Sequence, residues 1–203
     1  MNARLRELNR PLWDVDRTRG TARRLTRLDV SLDALAKGYV IDRAAERARD
    51  IDGVSGVLLN IGGDLRHCGV QAITVGIADP HAPADNAPPL ARVQLTDASL
   101  ATSGGYRRGF VSNGRRVSHI LDPRTGRPAE RVASASVLAP DCATADALST
   151  AFSVMTPRES VALADTLPDV GCLLVESDGT VTTNAAWNAR AIPPRHDSTQ
   201  PND

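Results

Sequence analysis

The chain has only three cysteines, Cys68, Cys142 and Cys172, widely spaced and without a Cys-x-x-Cys pair, so neither a disulfide framework nor a thiolate zinc site is indicated. They are expected to be buried thiols. There is no excess of charge of one sign: 24 basic residues face 24 acidic ones, which leaves no global field to draw in nucleic acid or an anionic membrane. The first 28 residues hold eight arginines against three acids, with Trp13 the single aromatic among them, and a solvated basic face is the expectation. No segment has the length and hydrophobicity of a membrane span, and Met-Asn-Ala-Arg-Leu-Arg-Glu-Leu at the start lacks the apolar run of a signal peptide. As written, the chain is expected in the cytoplasm. Gly-x-Gly-x-x-Gly, Gly-x-x-x-x-Gly-Lys-Ser/Thr, His-Glu-x-x-His and Gly-x-Ser-x-Gly are all missing, which disfavours a dinucleotide-fold dehydrogenase, a P-loop NTPase, a zinc peptidase and a serine hydrolase.

What is present is enough for one globular domain: 203 residues, 41% of them hydrophobic. Strands are expected at 12–16, 24–30, 57–61, 72–78 and 132–139. Helices are expected at 34–49, 142–155 and 158–166. In the first helix, Val40, Ile41, Ala44, Ala45 and Ala48 recur at helical spacing and face inward, while Arg43, Glu46, Arg47 and Arg49 face out. Hairpins are expected at 106–120, turning at Asn113-Gly114, and at 172–183, turning at Asp178-Gly179. A Pro- and Ala-rich loop fills 80–89, and the tail from Pro193 is too polar to pack. The mixture predicts an α+β fold, with mixed or antiparallel sheets flanked by helices.

The segment Ser118-His-Ile-Leu-Asp-Pro-Arg-Thr-Gly-Arg-Pro128 places an imidazole directly before a tight turn. Pro123 and Pro128 fix their own φ, Gly126 permits a positive φ, and Asp122 and Thr125 can hydrogen-bond nearby amides, so the loop costs little entropy to hold in one shape. His119 thereby sits on rigid backbone, as a proton-transfer group requires. An ordinary turn leaving a strand is the alternative.

Lys37 is the one lysine; the other 23 strong bases are arginine. At a glycine-flanked helix start it offers a compact ammonium for a phosphate oxygen, beside helix N-terminal amides that favour anions; a surface lysine without a ligand is the alternative. Asp146 and Thr150 lie at i and i+4 on one helix face, two hard oxygen donors that suit Mg²⁺ better than zinc or copper. Alone, such a pair more often makes a cap or a local hydrogen bond. Asn60-Ile-Gly-Gly-Asp64 lets backbone approach a ligand, and Thr102-Ser103-Gly104-Gly105 offers hydroxyl and amide donors.

Taken in order, Ala34-Leu-Ala-Lys37-Gly-Tyr-Val-Ile-Asp42, Asn60-Ile-Gly-Gly-Asp64, Ala101-Thr-Ser-Gly104, His119-Ile-Leu-Asp-Pro-Arg-Thr-Gly-Arg-Pro128 and Asp146-Ala-Leu-Ser-Thr150 resemble the ApbE family, the FAD:protein FMN transferases. The likeness runs from about residue 25 to residue 183. It implies a single domain over residues 1–192 followed by a disordered tail, 193–203. The activity implied is Mg²⁺-dependent: FMN passes from FAD to a threonine or serine hydroxyl of an acceptor flavoprotein, and AMP is released. Asp146 and Thr150 match the family's metal-binding side chains, and Ala34 the position whose backbone carbonyl completes the metal site. Lys37 and Ile120 match positions that line FAD. His119 is the expected base for the acceptor hydroxyl, with Asp122 as a group that could orient it.

The departures are specific. Ser31 stands where the family carries a FAD-contacting Asp, with Asp33 or Asp29 close enough to compensate. The family's N-terminal portion, which supplies part of the adenine and flavin walls, has no counterpart here, so the domain is expected to be N-terminally incomplete and to expose apolar sheet surface. Family members are commonly exported, which opposes the cytoplasmic expectation. An FAD pyrophosphatase giving FMN and AMP, and a non-catalytic flavin-binding remnant, are the alternative functions.

Overall fold

Val132–Ala139 reads Val-Ala-Ser-Ala-Ser-Val-Leu-Ala, apolar or small at every position, the composition of a strand covered on both faces. In the computed structural model, which describes residues 3–8, 10–84, 86–105, 109–112 and 115–193, this strand lies inside a six-stranded antiparallel sheet. The strand order is Val181–Thr183, Gly171–Glu176, Val132–Ala139, Ala98–Gly104, Asp64–Cys68, Val57–Ile61. Side-chain alternation splits the core in two. Ala101, Ala135, Val137, Ala139, Cys172 and Leu174 pack under the helices Cys142–Phe152 and Pro157–Ala164. Their neighbours Ala98, Leu100, Leu138, Leu173 and Val175 meet Trp187 and a three-stranded sheet, Ile73–Ile77, Ala91–Leu95 and Ala191–Ile192. The α+β expectation holds, and the sheets are antiparallel.

The helix Ala36–Arg49 buries Gly38, Ile41, Asp42 and Ala45, spaced i, i+3, i+4 and i+7. Val40 and Ala44, expected inside, are exposed; the stripe is rotated because Gly38 and Asp42, not the larger apolar side chains, face the neighbouring helix. The second helix closes at Phe152 and the third spans Pro157–Ala164, opened by a capping box between Thr156 and Glu159. The Gly171–Glu176 and Val181–Thr183 hairpin forms as expected.

One expected strand needs correction, and three strands were not anticipated. The 24–30 strand is not formed: Trp13–Asp16 pairs with Thr21–Arg24, and the chain then leaves the ladder. There Thr26 Oγ1 accepts the Leu28 amide and donates to Glu7 Oε1, while Glu7 also takes the Arg27 amide, so side chains substitute for strand partners. Conversely, Asp64–Cys68, Ala91–Leu95 and Ala98–Gly104 are strands that local sequence did not signal. Ala-Ser-Leu-Ala-Thr-Ser-Gly has weak strand propensity, and it becomes a central strand because neighbours on both sides bury it.

Gly109–Ser112 and Arg115–Ser118 pair as the expected hairpin; its turn at Asn113-Gly114 lies outside the described residues, as do residues 194–203 of the expected tail. The three cysteines are free and buried. Leu58 and Ile61 on the edge strand, and Tyr39 and Val40 on the adjacent helix, are exposed. Among the described residues no helix is long and apolar enough to cross a membrane.

Candidate functional site

The strand Val57–Ile61 turns into Asp64–Cys68 through Gly62-Gly63, both at positive φ (63° and 95°), as a two-residue hairpin requires. Asn60 Oδ1 accepts the Gly63 amide at 3.1 Å and braces the turn. Asp64, the next residue, has its side chain pointed inward and is only 1% exposed.

The helices Ala36–Arg49 and Cys142–Phe152 cross against one another with almost no gap. A Cβ on Gly38 would stand 2.3 Å from the Cys142 carbonyl oxygen. One turn further on, the Asp42 carboxylate accepts the amides of Cys142 (2.8 Å) and Ala143 (2.9 Å), capping the second helix from outside its own chain segment. Asp141 adds the local cap through the Thr144 amide. The Gly38 amide donates to Asp146 Oδ2 at 3.0 Å, and the Ala36 amide goes to the Leu32 carbonyl. Amides expected to greet an anion at this helix start are thus partly committed within the protein.

Lys37 lies between two buried carboxylates. Its Nζ is 2.7 Å from Asp64 Oδ2 and 4.0 Å from Asp146 Oδ1. The short contact is a close ion pair to a carboxylate oxygen that is buried from solvent. Burial pushes the Asp64 carboxyl above the usual carboxylate range; the Lys37 ammonium offsets part of that, and the Asp146 charge adds to it. Two carboxylates share one ammonium, an arrangement that leaves residual negative charge for a cation.

On the opposite side, the loop after His119 is as rigid as its sequence implies. Asp122 accepts the Gly126 and Thr125 amides on its carbonyl, and Leu121–Asp122 pairs with Arg127–Pro128. The Asp122 carboxylate is held by Arg124, whose Nε is 3.0 Å away, and that guanidinium keeps its carboxyl below the usual range. Arg124 also reaches the Val154 carbonyl at 2.8 Å, tying the loop to the end of the helix. Asp122 thus organises the loop, and its hydrogen bonds go to Arg124 rather than to His119. Ser118 Oγ accepts the Ile120 amide at 3.1 Å.

These pieces enclose a cavity of about 450 Å³. Ala34, Lys37, His119, Ile120, Asp146 and Thr150, six of the seven residues singled out from sequence, line it, with Asp33, Thr102 and Ser103 beside them. Ser31 does not: it is exposed, and its Oγ accepts the Asp33 amide at 3.2 Å. Asp33, two residues on, is the member of that turn that lines the cavity. Asp64 was legible only as the end of a glycine turn, and its tie to Lys37 had no local signal.

No cluster of three His, Cys, Asp or Glu side chains suited to a metal occurs among the described residues. The donor set that does occur is of another kind: one buried carboxylate, Asp146, 3% exposed, on a cavity also lined by Thr150, which carries a hydroxyl, and Ala34, which has only its backbone oxygen to offer. All are hard oxygens, too few for a full cage, and they fit Mg²⁺ completed by waters and phosphate oxygens.

The ApbE family model matches residues 2–174. The chain belongs to the ApbE family. It is 36% identical over 170 residues to the FAD:protein FMN transferase of Treponema pallidum, covering 78% of this chain and 46% of that protein. To the FAD:protein FMN transferase of Vibrio cholerae it is 34% identical over 154 residues, 74% of this chain and 46% of the relative. Among solved structures it superposes on the ApbE protein of Thermotoga maritima with a TM-score of 0.77 and 31% identity, over 88% of this chain and 59% of that one. The apo flavinyl transferase ApbE of Pseudomonas stutzeri gives 0.69 and 28%, over 88% and 56%. The chain therefore spans about half the length of the curated relatives it matches.

Proposed function

We propose that this ApbE domain transfers FMN from FAD to a threonine or serine hydroxyl of an acceptor flavoprotein, releasing AMP, with Mg²⁺ bound by Asp146, Thr150 and the Ala34 carbonyl. The observation that carries the proposal is the convergence of Ala34, Lys37, His119, Ile120, Asp146 and Thr150 on one cavity from three separate segments of chain. The names of its relatives support the transfer of FMN from FAD to a protein.

In this reading the acceptor oxygen attacks the phosphorus of the FMN half. The new O–P bond forms as the bond from that phosphorus to the bridging oxygen breaks, and AMP leaves with that oxygen. The bound Mg²⁺ supplies charge neutralisation at the diphosphate. Lys37, anchored to Asp64 at 2.7 Å on the cavity wall, presents its ammonium to a non-bridging phosphate oxygen. His119 takes the acceptor proton. It is exposed at the rim, where a protein-borne hydroxyl can reach it, and the braced 121–128 loop fixes its backbone. Ile120 gives an apolar surface beside it.

Incubating the chain with FAD, Mg²⁺ and a threonine-bearing acceptor peptide is expected to add one FMN to the peptide mass, and Asp146→Ala to abolish the addition. A folded, FAD-binding chain that yields no adduct with any acceptor would overturn the proposal. The exposure of His119 favours a second reading, FAD hydrolysis, because water has the same access as an acceptor. Release of FMN and AMP without acceptor identifies it.

A further inference from the structure

Ser103 Oγ, at the end of the central strand, lies 2.9 Å from Ser149 Oγ and 3.2 Å from Thr150 Oγ1. Ser149 is completely buried, and its hydroxyl donates to the Asp146 backbone carbonyl at 2.9 Å. A carbonyl can only accept, and each hydroxyl has a single proton. Ser149 has therefore spent its proton on Asp146, so Ser103 must donate to Ser149. Ser103 in turn can only accept from Thr150. The network assigns every proton from one fixed end.

We infer that Ser103 and Ser149 form a one-way hydroxyl relay that draws the Thr150 proton away from the cavity and leaves its oxygen lone pairs free for a divalent cation. Both serines are positioning residues. The inference deepens the metal-site reading above and rests on it. Without the relay, the Thr150 hydroxyl would rotate to donate to the carbonyl one turn back, that of Asp146, the usual resting place of a helical threonine, and that rotation about Cβ–Oγ1 would re-aim its lone pairs away from the position the relay gives them. Without Ser149 alone, Ser103 regains a free proton and can donate it to Thr150, reversing the bond and blocking a ligand lone pair. Removing a group that never touches the metal thus weakens its binding. Partners of metal ligands typically govern affinity on this scale, about 10–100-fold.

The test is titration of the full chain with Mn²⁺, a paramagnetic stand-in for Mg²⁺, read by the EPR signal of free Mn²⁺ and without FAD or acceptor. Ser103→Ala and Ser149→Ala are each expected to weaken Mn²⁺ binding by about tenfold. The double variant is expected to be no weaker than Ser103→Ala, because the relay acts as a unit. Ser103→Thr restores the hydroxyl and should restore most of the affinity. FAD affinity measured in EDTA should not move in Ser149→Ala, whose side chain is fully buried and does not line the cavity, whereas general disruption of the site would shift both. Should truncation unfold the strand, Ser103→Cys, nearly isosteric with a much weaker donor and acceptor, makes the same measurement. If Thr150→Ala weakens Mn²⁺ binding while Ser103→Ala and Ser149→Ala leave it unchanged, the relay is overturned and the metal site stands. If the unsubstituted chain binds no Mn²⁺, both fall together.

Discussion

The Gly38 amide donates to Asp146 Oδ2 at 3.0 Å across 108 residues of sequence. That bond joins the start of one helix to the carboxylate of another and fixes the spacing between Lys37 and Asp146. It exists because Gly38 has no side chain: any Cβ there would collide with the Cys142 backbone. The Gly in Ala-Lys-Gly is a packing requirement of the site.

Gly38→Ala is accordingly expected to force the two helices apart and destabilise the chain by about 1–3 kcal/mol, the usual range for overpacking. FAD and metal affinity should fall with it. Urea denaturation midpoints, compared with those of Tyr39→Ala at a neighbouring exposed position, provide the measurement. Equal stability of the two variants would contradict the packing account.

Asp42 should matter for a different reason. Its two oxygens take the Cys142 and Ala143 amides, and Arg66 Nε is 3.9 Å from one of them. Asp42→Ala leaves one buried and one half-buried helix amide without their partner and is expected to cost ~2 kcal/mol. Asp42→Asn, which keeps an acceptor, should cost less. Amide hydrogen exchange at Cys142 and Ala143 reads the loss directly, and unchanged protection there would argue against the cap.

Burial holds the Asp64 carboxyl above its ordinary value of 3.8. An acid whose native pKa exceeds its unfolded one contributes stability in full below the unfolded value, and that contribution is lost as pH rises through the native value. Thermal midpoints in EDTA from about pH 4 upward should therefore fall more steeply in the unsubstituted chain than in Asp64→Asn. Parallel curves across the series would sink this assignment.

The three thiols provide a check on the core. Burial pushes Cys172 up to about 11 and raises Cys68 and Cys142 as well. At pH 8 each is protonated as well as enclosed, so a thiol reagent is expected to label none of them quickly in the native chain and all three after denaturation. Rapid native labelling at Cys142 would mean that the two crossing helices separate in solution.

The amino-acid sequence on its own determined the elements with strong local signals. Glycine and proline marked the 121–128 loop and the Gly62-Gly63 turn; helical periodicity marked a helix over 34–49, formed as Ala36–Arg49, and a helix expected over 142–155 formed as Cys142–Phe152; and the family motifs marked Ala34, Lys37, His119, Ile120, Asp146 and Thr150. Those features depend on torsion preferences and spacing that a few neighbouring residues fix. The tertiary structure alone decided the rest. Ala98–Gly104 is a central strand because of what buries it, Asp33 rather than Ser31 meets the cavity because of how one turn is braced, and Asp64 meets Lys37 across two elements. The ordered hydroxyls of Ser103, Ser149 and Thr150 belong to the same class. Contacts between residues distant in sequence leave no periodic trace, since either partner alone is compatible with many other environments.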